Sequence, residues 1–126
     1  MTTETMTLAT ALLLTGVIWT IQLVHYPSFR FIPEEDFRGF HRRHTLSVSV
    51  IVIPLMLAEL ALTFVAFPGI LPATCTAIAW LSTFLVQVPI HRKLEKGKDD
   101  RAIERLILTN WVRTAAWTAK ATLLVL

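Results

Sequence analysis

Long apolar segments alternate with short polar ones along this chain. Apolar residues dominate residues 7–26, 45–67, 72–91 and 103–126, and the segments between them are charged or contain proline and glycine. A helix needs about 20 apolar residues to cross about 30 Å of hydrocarbon. The pattern therefore predicts an all-α fold, in which residues 1–126 form one integral membrane domain built as an antiparallel bundle of four transmembrane helices.

The composition supports a membrane location. Hydrophobic residues make up 54% of the 126 residues and charged residues only 17%, whereas soluble domains carry roughly 25% charged residues. The net charge of +3 does not indicate nucleic-acid binding, because the basic residues flank the apolar segments and form no stripe. Cys75 is the only cysteine, so the chain contains no intramolecular disulfide.

Positive charge outside the apolar segments is confined to two loops. The first loop carries Arg30, Arg38, Arg42 and Arg43, and residues 92–105 carry six more lysines and arginines. Because cytoplasmic loops are enriched in Lys and Arg, both loops are predicted to lie on the cytoplasmic side of the cell membrane, with both termini outside. The first loop is also predicted to contain a short interfacial helix, from about residue 33 to residue 41.

Each predicted span carries one polar face. Successive residues of a helix are about 100° apart, so residues three, four or seven positions apart share a side. His41 and Glu59 share a side of the second span in this way, because 18 residues make five turns. The polar faces are predicted to line the bundle interior and to bind a hydrophobic small molecule. The substrate-binding candidates are Trp19, Gln22, Trp80, Gln87 and Trp117.

All four histidines are predicted to lie at the cytoplasmic rim of the bundle. His25 ends the first span, His41 and His44 precede and begin the second, and His91 ends the third. Neutral imidazole binds copper, iron and zinc, so these four residues are the candidate ligands of a metal, copper or iron, or of haem. Alternatively, they are interfacial anchors, and the basic residues between His41 and His44 contact anionic lipid headgroups.

Charged residues within the predicted spans are the candidate catalytic groups. A charge in hydrocarbon is costly and usually faces the interior, where it serves function. Glu59 and Arg113 meet this description, and Asn110 lies one turn before Arg113. The alternative is structural: Glu59 pairs with Lys120 or with Arg113 and locks two helices together.

Residues 110–117 read NWVRTAAW, which resembles the final helix of the anthrone-oxygenase-like family of small four-helix membrane proteins. Residues 89–91, PIH, and the first-loop pattern of residues 25–27, HYP, followed by His41 and His44 are also similar to short bacterial membrane proteins of this plan. The resemblance implies oxidation of a flat, hydrophobic aromatic substrate by dioxygen, with Asn110, Arg113 and Trp117 lining the site.

The sequence therefore favours a small membrane oxidoreductase that acts on a lipophilic substrate inside the bundle. Two other functions stay open. One is a non-enzymatic membrane binder or transporter of a small compound, and the other is a helper subunit whose polar face packs against a partner. The pattern does not decide whether the chain forms a homo-oligomer, since Gly16 has no second glycine at the spacing of a helix-dimer motif.

Overall fold

Four helices make up nearly the whole chain in the computed structural model, which describes residues 1–126. Helix α1 is Thr3–Phe31, α2 is Glu34–Ala66 and α3 is Ile70–Leu94. Helix α4 is Asp100–Val125, and the chain has no β-strand. The all-α prediction is confirmed, and each predicted span falls within one helix apart from its end residues.

The helix ends are set by local backbone chemistry. Helix α2 begins after Pro33 with three acidic residues in its first turn, where they interact favourably with the helix dipole. It ends at Phe67, whose φ of 33° lies in the left-handed region. Before α4, the Asp99 carboxylate accepts a hydrogen bond from the Ala102 N–H at 2.9 Å. This bond, together with the Lys93 ammonium, holds the pKa of Asp99 below its ordinary value.

The short interfacial helix predicted for residues 33–41 is wrong as a separate element. These residues form the first turns of α2, which continues without interruption to Ala66. Between Phe37 and Thr45 there is no proline, and Phe37 and His41 are buried one turn apart on one side of the helix. At about 1.5 Å per residue, 33 residues extend well beyond the thickness of a hydrocarbon layer.

Helices α1 and α3 each contain one π-helical turn shortly before a proline. The turn in α1 is Ile21–His25, before Pro27, and the turn in α3 is Thr83–Gln87, before Pro89. A proline has no N–H and clashes with the carbonyl four residues earlier. A π turn adds one residue and relieves this conflict locally; such turns are frequent at functional sites.

Helix α4 occupies the centre of the packing. It packs along both α1 and α3, and α1 also packs along α2, whereas α2 and α3 pack together only sparsely. Helices α1, α2 and α3 are long and apolar enough to cross a membrane, and α4 is not among these candidates. Its hydropathy is lowered by Asn110, Arg113 and Lys120, all of which are buried inside the bundle.

Candidate functional site

A cavity of about 450 Å³ lies between α2 and α3, where these two helices pack sparsely. Its walls are mostly apolar and include Val52, Met56 and Phe84. One region is polar, because α1 contributes Tyr26, α4 contributes Arg113, and His44 and His91 reach in from α2 and α3. Gln87 and Trp80 also line this cavity.

His91 connects two other side chains at the cavity. Its Nε2 lies 3.1 Å from the Tyr26 hydroxyl, and its Nδ1 lies 2.9 Å from Nε2 of His41. Both ring nitrogens are therefore engaged in hydrogen bonds. His44 packs beside this chain, with its ring centroid 6.1 Å from that of His91, and its Nδ1 has no hydrogen-bond partner.

Arg113 is held by neutral groups of the bundle interior. Its Nη1 donates to Asn110 Oδ1 at 3.4 Å, and its guanidinium carbon lies 5.2 Å from the ring centre of Trp117. Asn110 in turn donates to Gln22 Oε1 at 2.9 Å, and Gln22 donates to the Ile107 carbonyl at 3.0 Å. These bonds fix the amide that faces Arg113.

Glu59 and Lys120 form the ion pair that the sequence offered as the structural alternative. Lys120 Nζ lies 2.9 Å from Glu59 Oε1, and both side chains are fully buried. Lys120 also donates to the Thr63 and Thr76 hydroxyls, and the Trp117 indole N–H donates to Glu59 Oε2 at 3.2 Å. Because every donor of Lys120 is used, this cluster fits a helix lock, and Glu59 does not line the cavity.

The structure brings most of the sequence-predicted site residues to one place. Five line the cavity, and four more lie directly behind it in contact with one of those five or with one another. The lining residues are His44, Trp80, Gln87, His91 and Arg113; the residues behind them are His41, Asn110, Trp117 and Gln22.

Two other candidates lie outside the cavity. Trp19 is 37% exposed on the outer surface, where its indole N–H donates to Thr118 at 3.0 Å and its ring meets Trp111 edge to face. It sits at the margin of the polar stripe of α1, over the groove between α1 and α4. His25 is half-buried and packs edge to face on His44 at 4.4 Å between ring centroids, on the side away from the cavity.

The four histidines lie close together, but they do not form a recognisable metal site. No group of three or more His, Cys, Asp or Glu side chains is arranged to hold a metal ion. The reason is visible at His91, whose two ring nitrogens face Tyr26 and His41.

Tyr26 lies on the predicted polar face of the first span but is not among the candidate site residues predicted from the sequence. It is buried, lines the cavity and bonds to His91. Its spacing of one turn from Gln22, immediately before Pro27, is the signal that places it on the polar face of α1.

Comparison with known proteins identifies no relative of this chain. No protein-family model matches the chain, and no curated protein or solved structure is similar to it.

Proposed function

We propose that this chain is a small membrane oxidoreductase that takes a lipophilic molecule from the bilayer into the cavity between α2 and α3. The observation that carries the proposal is the position of that cavity. It lies at the sparsely packed side of the bundle and extends to Tyr26, His91 and Arg113. Its volume of about 450 Å³ is in the range of small-molecule sites, about 300–1,000 Å³.

The proposal includes four membrane crossings. Three helices have the length and apolar character to cross. The fourth crossing is supported by α4, which buries Asn110, Arg113 and Lys120 and exposes Leu108, Trp111 and Val112 on its outer side. The basic segments around Arg42 and Lys96 lie on the cytoplasmic side, and both termini lie outside.

The chemistry is supported by the resemblance of residues 110–117 to anthrone-oxygenase-like proteins. In such an oxidation a CH₂ group of a flat aromatic substrate becomes a carbonyl. Dioxygen supplies the carbonyl oxygen, and its second oxygen leaves as water with the two hydrogens. The reaction needs a base that takes the first proton from the CH₂ group. It also needs a positive charge beside the ketone oxygen that the substrate already carries, because this oxygen becomes negative when the proton leaves.

Residues of the cavity supply both requirements. His44 takes the proton, since it lines the cavity and its Nδ1 has no hydrogen-bond partner. Arg113 holds the substrate oxygen, and Asn110 positions Arg113 through the 3.4 Å contact. The apolar walls exclude water, and this strengthens the interactions of His44 and Arg113 with the substrate. Glu59 takes no part, because its carboxylate is engaged by Lys120 and Trp117.

The proposed reaction uses no copper, iron or haem. The side chains do not form a set of three ligands for copper or iron, and His91 is engaged at both ring nitrogens, so it is not free to serve as an axial ligand of haem. Elemental analysis and an absorption spectrum of the purified protein test this part of the proposal directly.

The activity is tested with anthrone as the probe, by following oxygen uptake and anthraquinone formation with protein in detergent. The wild-type chain is expected to catalyse the reaction, and His44→Gln to slow it by about 100-fold or more, the usual contribution of a general base. Arg105→Gln is the control, since Arg105 is exposed and lies outside the cavity. Anthrone binding without oxygen uptake would favour the non-enzymatic binder, and no binding at all would overturn the proposal.

A further inference from the structure

Arg113 is a buried cation without an anionic partner in this chain. It is 5% exposed. The three ion pairs of the chain are Arg30–Glu104, Lys93–Asp99 and Lys120–Glu59, so none of them includes Arg113. Lys120, the other buried cation of α4, lies 2.9 Å from the carboxylate of Glu59. The two cations of α4 are therefore treated differently by the fold.

The neighbours of Arg113 do not neutralise it. Asn110 contributes an amide oxygen at 3.4 Å and Trp117 contributes the face of its ring. The guanidinium Nε has no hydrogen-bond partner at all. Glu95 is the one carboxylate among the residues that line the cavity, and it is exposed and forms no ion pair.

Burial of an unpaired charge is costly, and a guanidinium does not lose its proton to avoid that cost. An anion delivered to the cavity would remove the penalty. Other polar atoms at the same cavity also lack partners: the indole N–H of Trp80 is a free donor, and the amide oxygen of Gln87 is a free acceptor. Trp80 and Arg113, each with an unused donor, thus line one cavity.

We infer that the ligand of this cavity is a lipophilic monoanion, whose oxyanion pairs with Arg113 and accepts the Trp80 N–H while its apolar part lies against Val52, Met56 and Phe84. The inference rests on the proposed function, because it assumes that a lipophilic molecule occupies this cavity. A carboxylate on an alkyl chain and an ionised hydroxyl on an aromatic ring both supply the oxyanion.

Two matched pairs of probes test this charge preference by the change in tryptophan fluorescence on binding, in uncharged micelles at neutral pH. The first pair is palmitate and hexadecanol, and the second is a dinitronaphthol that is ionised at neutral pH and its uncharged methyl ether. The wild-type chain is expected to bind the anion of at least one pair about tenfold or more tightly than its uncharged partner, a difference of about 1.4 kcal/mol. The pair that shows the preference identifies the source of the oxyanion.

Variants assign the preference to Arg113. Arg113→Gln is expected to abolish it, and Arg113→Lys to retain part of it, since the charge is kept while the planar fork is lost. Arg105→Gln is the control, because Arg105 is an exposed arginine of the same helix.

The outcomes separate the inference from the function on which it rests. Equal affinity of the wild-type chain for both members of each pair, or an unchanged preference in Arg113→Gln, would overturn the inference and leave the lipophile site intact. Binding of no probe by the wild-type chain would overturn both. The wild-type comparison needs no variant, so a folding defect in Arg113→Gln does not prevent a decision.

Discussion

At the residue scale, the chain buries two cations of one helix in opposite ways. Lys120 uses its three N–H groups on Glu59, Thr63 and Thr76, whereas Arg113 keeps an N–H free beside a cavity. A satisfied buried network makes a structure rigid, and an unpaired buried polar group requires a physical explanation. Two buried cations of one helix can therefore differ in how far they are satisfied, and the difference lies in their partners.

Replacing Lys120 alone tests the helix lock. Lys120→Met leaves the Glu59 carboxylate buried without its cation, and breaking a buried pair in this way is expected to reduce the free energy of unfolding by about 3–5 kcal/mol. The double variant Glu59→Leu/Lys120→Met removes both charges and should recover more than half of that loss. Unfolding in detergent, followed by circular dichroism during a denaturant titration, measures both.

The exposed Lys96 supplies the control. Lys96→Met should leave the unfolding transition unchanged. If Lys120→Met were as stable as Lys96→Met, the ion pair would have no structural role.

Helical phase predicted which residues turn inward, but not all of their contacts. Gln22, Gln87 and Asn110 are buried as the phase indicates. Trp19 shares that phase with Gln22, yet it lies on the outer surface of the bundle. It sits at the edge of the polar face of α1, where the groove between α1 and α4 opens outward, whereas Gln22 lies at the buried side of the same face. The bond between His91 and His41 depends on the approach of two helices, which no periodicity within one helix records.

At the scale of elements, the sequence predicts the number and type of helices well and their irregularities poorly. Four apolar segments predict four helices, since hydropathy varies over whole spans. The π turns at residues 21–25 and 83–87 add only one residue each and leave hydropathy unchanged. They matter for the site, because Tyr26 and His91 follow these turns within a few residues and bond to each other at 3.1 Å.

Two glycines differ in whether their backbone conformation requires glycine. Gly97 has a φ of 149° in the loop between α3 and α4, and alanine in such a conformation costs about 1–3 kcal/mol. Gly39 lies inside α2 with no atom within 4 Å of an added Cβ, so Gly39→Ala should stabilise the chain by about 0.5–1 kcal/mol. The unfolding free energies of Gly97→Ala and Gly39→Ala should therefore change in opposite directions.

Because an added Cβ at Gly97 also meets no atom within 4 Å, crowding does not explain a loss at that position. A Gly97→Ala variant as stable as the wild type would contradict the backbone conformation of this loop.

The space between α2 and α3 is tested by filling it. Val52 lines the cavity, whereas Val50 on the same helix is 76% exposed. Val52→Trp places an indole in the cavity and should weaken anthrone binding tenfold or more, or about 1.4 kcal/mol. Val50→Trp adds the same group to the outer surface and should bind anthrone as the wild type does. Fluorescence titration compares them, and equal affinity of the two variants would place the binding site elsewhere.

At the scale of the whole molecule, α4 decides the topology. Its interior charges give it a hydropathy too low for a candidate span, yet Arg113, Thr114 and Lys120 are buried against its neighbours. Its charged and amide side chains turn inward while its outer side carries Leu108, Trp111 and Val112, so its mean hydropathy understates its fit to a membrane. Packing thus favours a membrane crossing by α4, whereas hydropathy does not. The side of the membrane on which the C-terminus lies distinguishes the two.

Labelling of single cysteines from outside intact cells decides between them. Cys75→Ser removes the native thiol, and cysteine is then placed singly at Thr3, Lys96 or Leu126, all of which are exposed. With four crossings, a membrane-impermeant maleimide should label Thr3→Cys and Leu126→Cys in intact cells, and Lys96→Cys only after permeabilisation. If α4 does not cross, Leu126→Cys should behave as Lys96→Cys does. Labelling of Lys96→Cys in intact cells would reverse the orientation given by the basic loops, and with it the side on which the histidines lie.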